Sequence, residues 1–506
     1  MRKLLVLTLL AGMGVLRAQN ENIRVEWKEE QKWADTFFKD IVGSSEDFFY
    51  TKGQRYSGQP VSYYRYDLLS GDMLEKVVFP YGKYEGGSLY IEKVYNVGDD
   101  LHYILKSYSK ESDRRVLLFT KVDKRGEFSP LVELASLDGE DSDKGQILFD
   151  RSKDKSKLLM FTHPPEEKKK GEKFIVKVVS SDYEVEWEKE VELPYRDKYF
   201  VFQDQAITNN GDVIILGYAL ADRKNGDKVN IFKPTAKFMA FKISRSGDIK
   251  VYNINLAGKY VNSAELKPDF GEDGAIAITG FYSDKGNDWL AGHFFITLDQ
   301  EEFVEDVAHD EPLSQEFLET FMSSKSSKED VELKYFNFTD FIEKGNGGAI
   351  LVAERAYMKS STDDRGKVSY KYFRDGIIVV SINPDGTEDW STFINKGQKS
   401  ASSELEGISY LLKVDGDKLH FIFNDGRRNT KRRAEGKSPD RVYILRKGIV
   451  TVATVHNGGE VTYGELMNNK ENGVVFLPET SVELEDGSIL FGTRWNSKIR
   501  FGIIRF

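Results

Sequence analysis

Short apolar runs recur along this chain, and most follow a turn rich in Gly, Asn or Asp. The clearest run reads Phe48-Phe49-Tyr50, then Leu101-His102-Tyr103, Leu158-Leu159-Met160, Val213-Ile214-Ile215, Ala275-Ile276-Ala277, Ala349-Ile350-Leu351, Leu419-His420-Phe421 and Ile489-Leu490-Phe491. Successive copies begin 53, 57, 55, 62, 74, 70 and 70 residues apart. The preceding turns include Asn210-Gly211-Asp212, Glu272-Asp273-Gly274, Asn346-Gly347-Gly348, Asp415-Gly416-Asp417 and Glu485-Asp486-Gly487. Such residues supply the positive φ that tight hairpins need. Each run therefore reads as the second strand of a repeated unit.

A third strand and its own turn repeat as well: Met239-Ala240-Phe241-Lys242-Ile243 before Ser246-Gly247-Asp248, Ile377-Ile378-Val379-Val380 before Pro384-Asp385-Gly386, and Leu117 to Val122 before Lys124-Arg125-Gly126. The fourth strand alternates polar and apolar, as in Glu184-Val185-Glu186-Trp187-Glu188 and Lys250-Val251-Tyr252-Asn253-Ile254. Alternation marks a strand with one wet face, whereas near-continuous apolar runs mark strands covered on both faces. Inner strands buried, outer strand half exposed, eight times over: this is how the blades of a ring read.

The pattern resembles the broad class of secreted β-propeller repeat proteins over nearly the whole chain. It carries no Trp-Asp signature and no kelch double-glycine period. Ser381 to Trp390 is similar to a sialidase Asp box, with the wrong spacing and a single copy. The resemblance implies an all-β propeller, with eight four-stranded blades expected and seven as the alternative count. A linear solenoid and two stacked sandwiches are the competing architectures. The ends supply a separate argument for a ring. The last unit stops after its third strand, Arg500 to Phe506, while Ile23-Arg24-Val25-Glu26-Trp27-Lys28-Glu29 echoes the fourth strand Val185-Glu186-Trp187-Glu188-Lys189-Glu190. Residues near 23–30 are thus expected to complete the last blade and cover its edge. One interruption has helical spacing: Leu313, Phe317, Leu318, Phe321 and Met322 within 312–325, with Ser314 as N-cap. A helix packed on the rim is the plain reading, and a lid or docking element the sharper one.

Residues 1–18 read differently. Met1-Arg2-Lys3 precedes an apolar run from Leu4 to Leu16 and a small Ala18, the pattern of a cleaved secretory signal peptide. The run is short of the roughly 20 residues of a membrane span. The alternative is an uncleaved anchor. With no cysteine anywhere, the chain has no lipid-attachment residue, disulfide or thiol nucleophile. The expectation is one propeller domain at 19–506, secreted or periplasmic and not a lipoprotein, with no transmembrane segment in the mature chain.

Charge narrows the partners. The chain has 506 residues with 72 Lys and Arg against 82 Asp and Glu, a formal −10. An acidic balance argues against nucleic acid as a partner. The loops joining second to third strands are the long ones, at 162–173, 219–237, 282–292, 355–375 and 424–441, and long loops on a rigid scaffold carry binding residues. The last of them is basic, and Arg427, Arg428, Lys431, Arg432 and Arg433 are the residues selected to contact an anionic glycan, lipid headgroup or acidic protein. A solvated, mobile loop is the plain alternative. Lys168-Lys169-Lys170 forms a weaker patch, offset by Glu166, Glu167 and Glu172.

Catalytic chemistry finds little support. No HExxH, GxSxG or P-loop motif occurs. His102 and His420 occupy equivalent strand positions and read as packing residues, and His309-Asp310-Glu311 point different ways on an extended chain. No cofactor is expected. Asp141-Ser142-Asp143-Lys144-Gly145 is a Ca²⁺ candidate that lacks the full ligand ladder, with an ordinary acidic loop as its alternative. The first functional expectation is a non-enzymatic binding or scaffold propeller for a protein or glycan, of the kind that serves as a soluble subunit of an outer-membrane transport or secretion machine. The alternatives are a carbohydrate-active hydrolase or lyase with carboxylates in the channel, and a purely structural surface protein.

Overall fold

The computed structural model describes residues 23–54, 62–77, 80–97, 100–109, 111–123, 125–139, 145–165, 171–196, 199–220, 231, 236–319, 333–401 and 407–506. Among them are eight antiparallel four-stranded paths. Seven follow chain order, as blades 1 to 7 at 38–77, 90–138, 146–196, 200–254, 260–312, 336–394 and 411–468. Blade 8 takes three strands from 476–505 and its fourth from Arg24–Lys32. All eight apolar runs lie on the second strand of their blade. The five turn glycines Gly211, Gly274, Gly347, Gly416 and Gly487 all have positive φ.

Burial follows the expected gradient. The second strand Val213–Leu220 is buried at every position, while the fourth strand Val185–Arg196 alternates. Each interface between neighbouring blades holds its own apolar cluster. Phe161 and Phe174 of blade 3 meet Phe200 and Phe241 of blade 4. Val352 and Val379 of blade 6 meet Phe421 and Ala453 of blade 7. The interface of blades 8 and 1 closes the circle: Phe501 lies 5.2 Å from Phe38 and 4.9 Å from Phe49, ring to ring.

The seam is antiparallel, running from Arg24 opposite Arg505 to Lys32 opposite Lys498, with a bulge after Trp27. Trp27 sits edge-on to Phe491 at 5.6 Å, and the Arg500 guanidinium lies 4.7 Å above it. Arg500 Nε donates to the Lys28 carbonyl at 3.0 Å. Gly502 is required beneath this stack, because a Cβ there would stand 2.6 Å from the Phe491 ring. Lys28 Nζ also donates to the Leu69 carbonyl of blade 1 at 2.8 Å.

Two expectations change in form. Segment 355–375 is not a loop: strands Ala349–Thr362 and Val368–Ile382 run on as a two-stranded ribbon beyond the blade, joined by a tight turn at Asp363 to Lys367. Its alternating Lys359-Ser360-Ser361 and Val368-Ser369-Tyr370 satisfy the backbone by pairing rather than by solvent. The helical insert is described as Gln315–Glu319, with the Phe317 amide donating to Ser314 Oγ at 3.2 Å. Leu313, Phe317 and Leu318 are buried in the cluster between blades 5 and 6, which matches the rim-packed reading. Phe321 and Met322 lie outside the described residues, as do residues 1–18, Asp141 to Lys144 and Lys168 to Lys170.

Removing residues 23–32 should expose the edge strand Lys498–Arg505 and unfasten the blade 8–blade 1 core. A sharp fall in Tm by circular dichroism is expected, with Trp27→Ala alone costing about 3 kcal/mol. An unchanged Tm on deletion would contradict the seam.

Candidate functional site

Two regions bring polar side chains together. The first lies along the first strands, which pack against one another around the ring axis. Asp150, Asp204, Glu265 and Asp340 occupy the first strands of blades 3, 4, 5 and 6. Burial raises the Asp150 and Glu265 carboxyls, and Asp340 raises Glu265 further against the pull of Lys267. Burial pushes Asp204 up to about 7, reinforced by Asp150 and Glu265 on either side. Tyr410 donates its hydroxyl to Asp340 at 2.6 Å. No group of three or more metal-ligating side chains is arranged to hold an ion among the described residues. At the short-turn end, a cavity of about 790 Å³ opens between blades 8, 1, 2 and 3, with Arg151 stacked 4.7 Å above Tyr95.

The second region lies at the long-loop end, between blades 6 and 7. A cavity of about 450 Å³ is lined by Arg355, Asp375, Lys396, Asp440 and Arg441, with Phe336 and Phe393 as apolar walls. Strand ends bring these residues together. Arg355, opposite Phe336, is the last second-strand residue paired with the first strand, Asp375 precedes the tight Gly376, and Lys396 starts the crossover to blade 7. Adding a Cβ at Gly376 would place it 1.9 Å from the Phe393 ring, so glycine lets the wall approach.

The floor is a buried polar network. Lys396 is fully buried; its Nζ donates to Glu354 Oε1 at 2.5 Å and to Gln398 Oε1 at 2.8 Å. Burial lowers the Lys396 ammonium, opposed by Glu354. Ser409 Oγ donates to the other Glu354 oxygen at 2.9 Å. Gln398 continues to the Asn424 carbonyl at 2.9 Å, and Asn424 Nδ2 to Phe476 of blade 8 at 2.7 Å. On the rim, Arg441 grips Asp375 with Nε at 2.9 Å and Nη2 at 2.7 Å, and Nη2 also donates to Tyr357 Oη at 3.0 Å.

The five basic residues chosen from sequence do not form one surface. Their segment folds around the short helix Asn429–Ala434 rather than hanging loose. Arg433 turns inward, 6% exposed, and pairs with fully buried Asp425 at 2.7 Å beneath the Tyr463 ring. It also donates to the Asn395 carbonyl at 2.8 Å, which fixes the cavity's back wall. Arg427 bonds Asn468 Oδ1 at 2.8 Å, and Arg432 bonds the Ser438 carbonyl at 2.7 Å. Arg428 and Lys431 stay exposed. Sequence reasoning passed over Arg355, Asp375 and Lys396. Glu354-Arg355 directly after the apolar run Ala349 to Ala353 was the available signal, since a charge pair continuing a buried strand needs partners.

His102 and His420 are buried packing residues, as their strand positions imply. His102 Nδ1 lies 2.8 Å from the Tyr183 hydroxyl and His420 Nδ1 lies 2.9 Å from Thr454 Oγ1, and burial lowers both pKa values, His102 to about 4.

No protein-family model matches the chain, and no curated protein sequence matches it. Similar solved structures include a Synechocystis apocarotenoid oxygenase mutant, 10% identical with a TM-score of 0.35, covering 70% of this chain and 71% of that one. Puromycin hydrolase is 10% identical with a TM-score of 0.37 over 90% of this chain and 58% of its own. A Bacteroides caccae protein of unknown function is 11% identical with a TM-score of 0.28, over 69% of this chain and 95% of its own.

Two outcomes follow for these clusters. A carboxyl held up to about 7 in the folded chain and titrating near 3.8 when unfolded weakens the fold as pH rises between those values. Asp204→Asn should therefore raise Tm relative to wild type at pH 8 and leave it nearly unchanged at pH 4. Lys396→Met strands buried Glu354 and should cost about 3–5 kcal/mol in urea unfolding, most of it recovered by adding Glu354→Leu. Equal losses in the single and double variants would refute the pairing.

Proposed function

We propose that this chain is an exported, non-enzymatic binding propeller that holds an anionic partner, protein or glycan, on the long-loop face of blades 6 and 7. Service as a soluble subunit of an outer-membrane machine fits that role. Export rests on the leader pattern of residues 1–18. The observation that carries the reading is a charge reversal. Segments 355–375, 395–401, 407–410 and 426–448, which build this face among the described residues, hold seventeen Lys and Arg against five Asp and Glu. That is a formal +12 in a chain whose total is −10. A local field of sign opposite to the whole favours anionic partners and orients them on approach. The face is also fixed rather than loose, because Arg433, Asn424 and Lys396 anchor it from below.

A second reading, a carbohydrate-active hydrolase or lyase in the channel, draws on Asp204. Its carboxyl keeps a proton up to about 7, as a general acid must. Release of reducing sugar that disappears in Asp204→Asn would favour it.

The binding reading predicts retention on a heparin resin at pH 8, despite a pI near 5.4. Arg428→Glu with Lys431→Glu should elute at about half the salt of wild type, or flow through. Wild-type protein in the flow-through at low salt would overturn it.

A further inference from the structure

Three cations line the cavity between blades 6 and 7, and their partners differ. Lys396 is neutralised by Glu354 at 2.5 Å and Arg441 by Asp375 at 2.7 Å. Arg355 alone has neither a hydrogen-bond nor an ion-pair partner among the described residues, and its Nε is buried with no acceptor. A buried donor left unpaired costs about 1–3 kcal/mol, more when charged. A guanidinium presents its donors as a planar fork that suits a carboxylate bidentately. Its carbon lies 5.5 Å from the centre of the Tyr357 ring, which limits how far the side chain can swing.

The rest of the lining selects among anions. Asp375 and Asp440 face the same space, each already paired with an arginine, Arg441 at 2.7 Å and Arg432 at 3.5 Å. Among the described residues Arg355 is left as the one uncompensated charge of this lining, which suits a single negative group, while the remaining carboxylate lone pairs accept hydrogen bonds from neutral hydroxyls. Phe336 and Phe393 supply apolar wall. One free guanidinium, two acceptors and two aromatic walls in about 450 Å³ match a small, hydroxyl-rich ligand with one carboxylate. We propose that the blade 6–blade 7 cavity is a subsite for a uronic-acid sugar, with Arg355 receiving its carboxylate and Asp375 and Asp440 accepting from its hydroxyls. The inference rests on the binding reading above and narrows its partner to an acidic saccharide, free or as a unit of a polymer.

The test is calorimetric titration of the full chain with galacturonate, glucuronate, oligogalacturonate and methyl-esterified oligogalacturonate. Wild type should bind at least one of the free acids or the oligomer, and bind the ester at least tenfold more weakly. Arg355→Gln should lose at least tenfold in affinity for that ligand, and Arg355→Lys an intermediate amount, with no large fall in Tm, because the Arg355 side chain holds no hydrogen bond or ion pair among the described residues. Binding of the monosaccharides indicates a free-sugar site, and binding of the oligomer alone a polymer subsite. Equal affinity for acid and ester, unchanged affinity in Arg355→Gln, or no binding of any of the four refutes the assignment. If heparin retention persists in those cases, the binding reading stands and only the ligand class is wrong. Loss of both removes the two together.

Discussion

No blade of this ring owns a core. Every apolar cluster is shared across an interface, so each sheet buries its faces only if both neighbours are in place. Burial contributes roughly 25 cal/mol per Å² of apolar surface, and here that contribution depends on closure. The seam at Arg24–Lys32 therefore governs more than one edge. It positions Ile499, Phe501 and Ile503, which pack on Phe38 and Tyr66 of blade 1. A chain without cysteine meets this demand through strand pairing, Trp27 and the Arg500 bond rather than through a covalent staple.

The interface of blades 6 and 7 departs from the apolar rule at its long-loop end. Glu354, Lys396, Gln398 and Asn424 replace hydrocarbon with a satisfied polar chain that reaches blade 8. Buried ion pairs are weak sources of stability, but they demand one geometry. The same end of the same blades carries the basic excess and the extended ribbon. Rigidity beneath and charge above are what a recognition face requires, since a preorganised site loses less entropy on binding.

Periodicity made the architecture legible, and partners separated in sequence did not show through it. The eight apolar runs, the turn glycines and the echo between Trp27 and Trp187 are local signals repeated many times, so errors in one copy are outvoted by the rest. Arg433 shows the opposite case. In a run of cations it reads as solvent-facing, and only the fold brings Asp425 and Tyr463 around it. Segment 355–375 looked like a loop because its Ser and Lys lack an apolar face, yet cross-strand pairing needs no core. Arg355 was invisible for a related reason: its significance is the absence of a side-chain partner among the described residues, which is a property of three-dimensional space.

The seam also sets an order of events during synthesis. Lys28 accepts its bond from a residue 472 positions later. At about 5–20 residues per second, strand Arg24–Lys32 waits roughly half a minute to a minute and a half for its mate. Through that interval seven sheets can form while strand Arg24–Lys32 has nothing to pair with, and the nascent chain carries it unmatched. Whatever shields that strand from wrong pairing decides how much of the protein reaches its ring.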